Sequence, residues 1–365
     1  MKLCKVTNKS AIPAINGQDS VAFFRYFNDM AAALRGFIAT FALGKRTLTM
    51  RKTAWILALA LFALSARAQE SQTVYNFLRL PMSAHAAAVG GDNITLIEDD
   101  GALVFNNPAL LTSVTDKTIG FDYMNYMSGV NMLGATFNKV LRDRLSVGGQ
   151  VQYINYGSMK ETDADGRETG TFSAKDIALG GTVSYLLTNR IAGGVTLRMV
   201  NSYIGGYSSF AVGVDLGLNY YDSDREWSVS LVAKNLGGQL KAFDEDYESM
   251  PIDVQLGVSK RLLHTPFRLS GTLVNLNHWE KGLRDHFVFG ADVLISDNIW
   301  LGLGYNSRRN DEMSIDTADD DNGSSHGAGL SLGAGLNTER FKVDVAWGKY
   351  HVSSSSILIS LAYTL

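Results

Sequence analysis

The feature that most constrains this sequence is a two-residue alternation of apolar and polar side chains, repeated in about fourteen segments from Lys117 onward. Such alternation is the pattern of a β-strand with one apolar face. In the segment "RFKVDVAWGK", for example, the residues of one face are Phe341, Val343, Val345 and Trp347. Many segments reach the roughly 9–11 residues that a tilted strand needs to cross a bilayer.

The last segment carries the same pattern to the last residue, because Ile357, Ile359, Leu361, Tyr363 and Leu365 share one face. An apolar strand at a chain end needs a partner, and a closed barrel supplies one by pairing its last strand with its first. The sequence therefore predicts an all-β fold, a 14-stranded antiparallel transmembrane β-barrel over residues 117–365. A soluble sandwich or propeller is the rival fold.

Composition agrees with a barrel in which one face of each strand meets lipid. The chain has 36 glycines and only 19% charged residues, against roughly 25% in soluble domains. A charged side chain facing lipid is costly, so charges identify the lumenal face. The clearest lumenal set is Lys342, Asp344, Asp215, Asp253, Gln255 and Arg198. A net charge of −3 gives no indication of nucleic-acid binding.

The predicted connections alternate between short and long, as in barrels whose short turns face the periplasm. The short ones lie near 140–143, 188, 222–225, 263–265, 297 and 339. The long ones, expected to face outside, lie near 157–171, 237–249, 279–285 and 309–326. Two connections, 127–129 and 204–207, are shorter than this rule expects.

The residues before the barrel divide into three parts. Residues 50–68 have the basic start, apolar core and Ala-Arg-Ala site of a signal peptide. Residues 1–49 then have no obvious role, and we interpret them as an extension from a start codon assigned too early. Residues 69–116 are predicted to form a hatch folded into the lumen, and a flexible tail is the alternative. Within the hatch, 83–89 predicts a short helix that ends at Gly90-Gly91, and Asn106, Asn107 and Pro108 predict the start of another turn.

Motifs for chemistry are missing from the sequence. The six histidines show no zinc-ligand spacing, and no nucleophile motif of the common hydrolases occurs. The acidic stretch 311–321 allows a calcium site, but a solvated external loop explains it better. We therefore expect no enzyme, no catalytic residues, no metal and no cofactor.

Several stretches together resemble the PorQ family of the type IX secretion system. They are Tyr75 to Ala84 with "NNPALL", "YINYG" at 153–157, "GTFSAKDIAL" at 170–179, "VAKNLGGQLKAF" at 232–243 and the run 255–279. His85 stands where the resemblance leads us to expect arginine, and Leu365 where an aromatic residue is more usual. The resemblance implies a FadL-like barrel with an N-terminal hatch in the outer membrane of a Gram-negative member of the Bacteroidetes.

The same resemblance implies a non-enzymatic role as a docking subunit of the cargo attachment complex. Its partner would be a PorZ-like surface protein, beside PorU-like and PorV-like proteins and outer-membrane lipid. Exposed aromatic residues often dominate interfaces, so Phe243, Tyr247 and Trp279 are the candidate anchors, although each also suits a membrane-boundary position. The alternative function is a FadL-like transporter or porin for hydrophobic or small solutes, against which the polar lumenal residues argue in part.

Overall fold

The computed structural model describes residues 73–127, 129–163, 165–278, 283–296, 298–312, 327–351 and 354–365. The predicted extension, 1–49, and the predicted signal peptide, 50–68, lie outside these residues, as does Trp279. In the described part of the chain, no helix is both long and apolar enough to cross a membrane.

Fourteen antiparallel strands form a closed barrel, as predicted. Their bounds are β1 Thr118–Asn125, β2 Asn131–Arg142, β3 Leu145–Thr162, β4 Glu168–Thr188, β5 Ile191–Ile204, β6 Tyr207–Asp222, β7 Trp227–Lys241, β8 Asp253–Arg261, β9 Phe267–Leu273, β10 Phe287–Leu294, β11 Ile299–Asn306, β12 Leu330–Asn337, β13 Phe341–His351 and β14 Ser354–Thr364. Each strand pairs with the next in the chain. The barrel closes where β1 pairs with β14, from Thr118 opposite Thr364 to Asn125 opposite Ile357.

The helical elements of the described residues are short. They are α1 Ala84–Ala88 and α2 Ser307–Glu312, with 3₁₀ helices at Asn76–Arg79, Gly101–Phe105, Pro108–Ser113 and Leu283–His286.

The two faces of the strands follow the predicted alternation. On β13, Phe341, Val343 and Val345 point outward and are exposed, while Lys342 and Asp344 point inward and are buried. The other predicted lumenal residues, Arg198, Asp215, Asp253 and Gln255, are also buried. An apolar outer face around a closed hydrogen-bonded wall is the arrangement that a lipid bilayer requires.

The two ends of the barrel differ in their connections. The end that holds the start of β1 and the end of β14 has short connections, at 143–144, 189–190, 223–226, 262–266, 295–298 and 338–340. We call it the turn end. The opposite end, the loop end, has three longer connections, at 242–252, 274–286 and 307–329.

The long external connection predicted at 157–171 is wrong. β3 continues to Thr162 and β4 begins at Glu168, so this stretch is a paired hairpin with a connection of only 163–167. The pairing resumes beyond a bulge at Gly157, whose positive φ of 79° suits glycine. Asp163 then closes the turn, because its carboxylate accepts hydrogen bonds from the backbone N–H groups of Asp165 and Arg167.

Residues 73–116, here called the inner segment, run along the lumen from one end to the other. At the loop end the backbone N–H of Val74 donates to the carbonyl of Ser249 at 3.0 Å. At the turn end Asp116 accepts from the backbone N–H of Val140 at 2.7 Å. Between these points the segment contacts inward-facing side chains of the strands, which is the position that a hatch occupies. A hatch over the whole of 69–116 stays a prediction.

The local structure of the inner segment follows its sequence signals. Ser83 caps α1 by accepting from the N–H of Ala86, and the helix stops at Gly90 and Gly91, both with positive φ. Asn107 caps the 3₁₀ helix that begins at Pro108 by accepting from the N–H of the residue after the proline, at 2.9 Å. The predicted turns therefore form at the predicted places.

Candidate functional site

Several strands present apolar side chains to the half of the lumen toward the loop end, which also contains buried charges such as Asp253 and Arg308. The buried, inward-facing residues of the wall there are Met124, Met132, Ile154, Ala178, Val200, Ala211 and Leu358. They form one cluster with Tyr75, Phe77, Leu78 and Met82 of the inner segment. Apolar residues of the chain itself thus fill the space that an apolar ligand would need in this half.

Hydrogen bonds from the wall reach this first stretch of the inner segment at several points. The hydroxyl of Tyr75 hydrogen-bonds to Ser209 and accepts from Gln239 at 3.2 Å. Gln152 donates to the carbonyl of Phe77 at 3.1 Å. Because most of the remaining contacts are apolar and nondirectional, another apolar group of similar size could replace them.

The middle of the lumen contains a four-charge cluster of His85, Glu98, Arg268 and Asp292. His85 contacts Glu98 through Nδ1 at 2.6 Å and Asp292 through Nε2 at 2.9 Å. Arg268 contacts the same two carboxylates at 2.7 and 2.8 Å. Two cations and two anions therefore alternate around a closed ring, linking α1 and residue 98 of the inner segment to β9 and β10.

His85 acts as a cation in this cluster. Burial opposes the charged imidazolium, but the carboxylates of Glu98 and Asp292 outweigh burial and raise the pKa of His85 to about 10. The imidazole ring also stacks on Trp300, with ring centres 3.5 Å apart. A cationic ring that contacts a carboxylate through each nitrogen and stacks on an aromatic face resembles an arginine side chain, which explains how histidine fits where arginine was expected.

A second buried network joins the inner segment to the wall nearer the loop end. Asp92 accepts from Asn306 at 2.9 Å and lies 3.5 Å from Arg308, which lies 3.4 Å from Asp253. Burial opposes the charge of Asp92, but Arg308, Lys234 and Arg309 together outweigh burial and hold the pKa of this carboxyl below its usual value. With the ion pair between Asp99 and Lys342 of β13, the inner segment is thus tied to the rest of the described structure by charge at three points.

Two buried aspartates each accept a hydrogen bond from the backbone in the part of the barrel toward the loop end. Asp215 accepts from the backbone N–H of Asn235 at 2.7 Å, and Asp253 accepts from that of Asn275 at 2.7 Å. Both asparagines have a φ of 57°, a left-handed conformation that asparagine tolerates. Arg198 completes the first corner with an ion pair to Asp215 at 2.6 Å.

The hydrogen-bonded residues around Asn235 and Asn277 hold the end of the connection 242–252. The side-chain amide of Asn235 donates to the carbonyl of Pro251 at 2.9 Å, and that of Asn277 donates to Ile252 at 3.1 Å. The end of the connection is thereby anchored to buried groups of β6, β7 and β8.

Close packing of the inner segment against the wall depends on glycines that face each other on adjacent strands. Gly194 on β5 lies opposite Gly217 on β6. A Cβ on Gly217 would lie 2.1 Å from Oδ1 of Asn107, and one on Gly194 would lie 2.4 Å from the carbonyl carbon of Pro108. Only glycine permits this approach of the inner segment.

The predicted site residues fall into two places. Asn106, Asn107 and Pro108 are buried in the lumen, where the amide of Asn106 donates to the carbonyls of residues 91 and 93. Phe243 and Tyr247 both lie in the connection 242–252, the first half-buried and the second 68% exposed. Trp279 lies outside the described residues, so the structure brings only two of the three aromatic candidates together.

The charge clusters were not predicted from the sequence, although it contains a signal for them. Arg268 and Asp292 occupy inward-facing positions of their strands, and such isolated charges in a lumen need partners. The sequence shows on which face of its strand each side chain lies, but it does not show the distance between residues on strands that are far apart in the chain. Among the described residues, no group of three histidine, cysteine or acidic residues is placed to hold a metal ion.

Comparison with solved structures identifies the fold of the barrel. The toluene transporter TbuX of Ralstonia pickettii aligns with a TM-score of 0.52 and 10% identity, over 79% of this chain and 100% of that chain. The monoaromatic hydrocarbon channel CymD aligns with a TM-score of 0.52 and 14% identity, over 78% and 97%. A FadL homologue of Pseudomonas aeruginosa aligns with a TM-score of 0.48 and 10% identity, over 77% and 98%.

At these identities the likeness shows the fold alone. The chain thus has the FadL-like fold of a fourteen-stranded barrel, as the resemblance implied. No protein-family model matches the sequence, and no curated protein matches it.

Proposed function

We propose that the protein is an outer-membrane channel that takes up small hydrophobic solutes at its loop end. The observation that carries this proposal is the apolar cluster in the loop-end half of the lumen, formed around Phe77, Leu78 and Met82. Its fold supports the proposal, since structures with the same fold include a toluene transporter and a monoaromatic hydrocarbon channel.

The geometry divides the uptake into two steps. A solute first competes with residues 75–82 for the apolar wall, and each Å² of apolar surface that it buries contributes about 25 cal/mol. It then meets the four-charge cluster, so passage through the middle of the lumen requires the inner segment to shift. The protein is not an enzyme in this mechanism and needs no cofactor.

The experiment is solute binding and uptake by the purified barrel in liposomes. Radiolabelled toluene should bind and cross faster than in empty liposomes, whereas glucose should not. Replacing Met132 by aspartate, which places a charge in the apolar cluster, should weaken toluene binding. The matched variant Met132→Leu keeps this buried position apolar and should bind toluene as the wild type does. Equal toluene uptake with and without the barrel would refute the proposal.

A second function is favoured by the buried ion pairs that hold the inner segment and by the hydrogen bonds that anchor the end of the connection 242–252. We propose it as the alternative: a docking subunit of type IX secretion that holds a PorZ-like surface protein beside PorU-like and PorV-like proteins. The anchored connection presents Tyr247 to solvent among the acidic residues Asp244, Glu245, Asp246 and Glu248. An exposed tyrosine on a connection with an anchored end suits a protein partner.

Its experiment is gene deletion in the native organism, followed by fractionation. Loss of the protein should leave secreted cargo in the periplasm with its C-terminal signal uncleaved. Tyr247→Ala and Phe243→Ala should each weaken recovery of the partner in a pulldown, with Tyr207→Ala, another exposed tyrosine of the loop end, as the control. Normal cargo display after deletion would exclude this function and leave the channel.

A further inference from the structure

An open groove lies on the outside of the barrel at the turn end, away from the lumen and the loop-end connections. It has a volume of about 650 Å³ and is lined by Arg144, Leu187, Thr188, Asn189, Arg190, Ile191 and Tyr220. The groove thus spans the turns 143–144 and 189–190 and the outer face of β6.

The framework of the groove is well fixed. The pairing of β4 with β5 shifts register between Leu186 and Thr188, and the N–H of Leu186 donates to the carbonyl of Arg144 at 2.9 Å. The hydroxyl of Thr188 accepts from the N–H groups of Arg190 and Ile191, at 3.2 and 3.0 Å. The groove is therefore part of the hydrogen-bonded wall and keeps its shape without a ligand.

One wall is apolar and faces outward. Ile191 and Tyr220 are more than one-third exposed, and Leu187 packs on the outer side beside Leu218. Outward apolar side chains of this barrel meet acyl chains, so this wall continues the lipid-facing surface.

The other wall carries two guanidinium groups, of which Arg190 is neutralised by carboxylates and Arg144 has no ion-pair partner among the described residues. Arg190 is paired with Asp222 at 3.3 Å and with Asp224 at 2.7 Å. Arg144 donates to the amide oxygen of Asn189 at 3.3 Å, and in the described part of the chain no carboxylate lies within ion-pair distance of it. A guanidinium on a bilayer-facing groove is suited to bind a phosphate.

The height of the groove matches the level of lipid headgroups. Outward aromatic residues cluster near the turn end, including Tyr185, Trp227 and Phe341. The ammonium of Lys260 lies 4.4 Å from the centre of the Trp227 ring. Aromatic rings with neighbouring cations mark the boundary between acyl chains and headgroups.

We propose that this groove binds one glycerophospholipid of the membrane leaflet at the turn end. Its phosphate contacts the guanidinium of Arg144, and one acyl chain lies along Leu187, Ile191 and Tyr220. The site is independent of what enters the lumen, and it would serve a channel and a docking subunit equally.

The experiment is native mass spectrometry of the full barrel after exchange into detergent and titration with dioleoylphosphatidylglycerol. The wild-type protein should retain one lipid preferentially, and Arg144→Gln should weaken its binding about fivefold, the usual effect of one basic residue at a membrane surface. The matched control is Arg225→Gln, an exposed arginine of the next turn that does not line the groove. Folding of each variant is checked by heat-modifiable migration on gels.

Two outcomes would overturn the proposal. If Arg144→Gln and Arg225→Gln weakened lipid binding equally, the lipid would be held by the general charge of the turn end and not by this groove. Full displacement of the lipid by inorganic phosphate would assign the groove to free phosphate and overturn the lipid. Leu187→Asn should weaken the long-chain lipid but not dihexanoylphosphatidylglycerol, and no difference between them would remove the acyl-chain contact.

Discussion

Replacing His85 by leucine would remove one of two cations from the four-charge cluster. Glu98 and Asp292 would then share Arg268 alone, which leaves one uncompensated negative charge in a site where His85 and Asp292 are almost fully buried. Breaking a buried ion pair by removing one partner costs about 3–5 kcal/mol. Because the cluster joins the inner segment to the wall, this loss should fall on the docking of that segment.

The expected readout is hydrogen exchange at the amides of α1 and of Gly90 and Gly91. A loss of about 3–5 kcal/mol raises the population of the undocked segment roughly 150- to 5,000-fold, and exchange should accelerate accordingly. His85→Arg is the matched control, since it keeps the charge and can stack on Trp300. Exchange rates in His85→Leu equal to those of the wild type would show that the cluster does not hold the segment.

The same cluster predicts a dependence on pH. The pKa of His85 is raised from about 6.5 in the unfolded chain to about 10, so its stabilising contribution is complete below pH 6.5. The contribution declines above that pH and is lost as the pH passes 10. The protection of these amides against hydrogen exchange, corrected for base-catalysed exchange, should therefore fall toward pH 10 in the wild type and persist in His85→Arg. If protection changed with pH in the same way in both proteins, His85 would not carry the assigned charge.

Two further changes test the packing of the lumen and the loop-end connection. Gly217→Ala should destabilise the inner segment, because the new Cβ would lie 2.1 Å from Oδ1 of Asn107. Gly181→Ala is the control, since a Cβ there meets nothing within 4 Å, and thermal unfolding of the two variants is compared. Arg198→Met should accelerate proteolysis of the connection 242–252 at least tenfold, since it leaves a buried carboxylate unpaired, and unchanged cleavage would refute the role of this corner.

The fold was largely predictable because alternation is local information. The alternation of apolar and polar side chains along β13 identifies its inner and outer faces, and the apolar end of β14 requires a partner strand. The hairpin at 157–171 was missed because Gly157 and the polar residues around Asp163 look like a loop, although pairing resumes after the bulge. The lumenal clusters depend on distances between Glu98, Arg268 and Asp292, which alternation along single strands does not contain.

A reversible crosslink between the inner segment and the wall would separate the two proposed functions. The Cβ of Ala88 lies 3.3 Å from the position of a Cβ on Gly302, close to the roughly 3.5–4.5 Å of a disulfide. The only native cysteine is Cys4, which precedes the predicted cleavage site, so Ala88→Cys with Gly302→Cys would give a single designed bridge in the mature barrel.

If the inner segment must shift for uptake, the oxidised double variant should bind toluene but fail to transport it, and dithiothreitol should restore transport. Each single cysteine variant controls for the substitutions themselves. A docking subunit would instead display cargo normally with the bridge intact, because the connection 242–252 is anchored through Asn235 and Asn277 and not through α1. Unimpaired toluene transport by the oxidised variant would show that solutes bypass the inner segment, which contradicts the proposed path through the lumen.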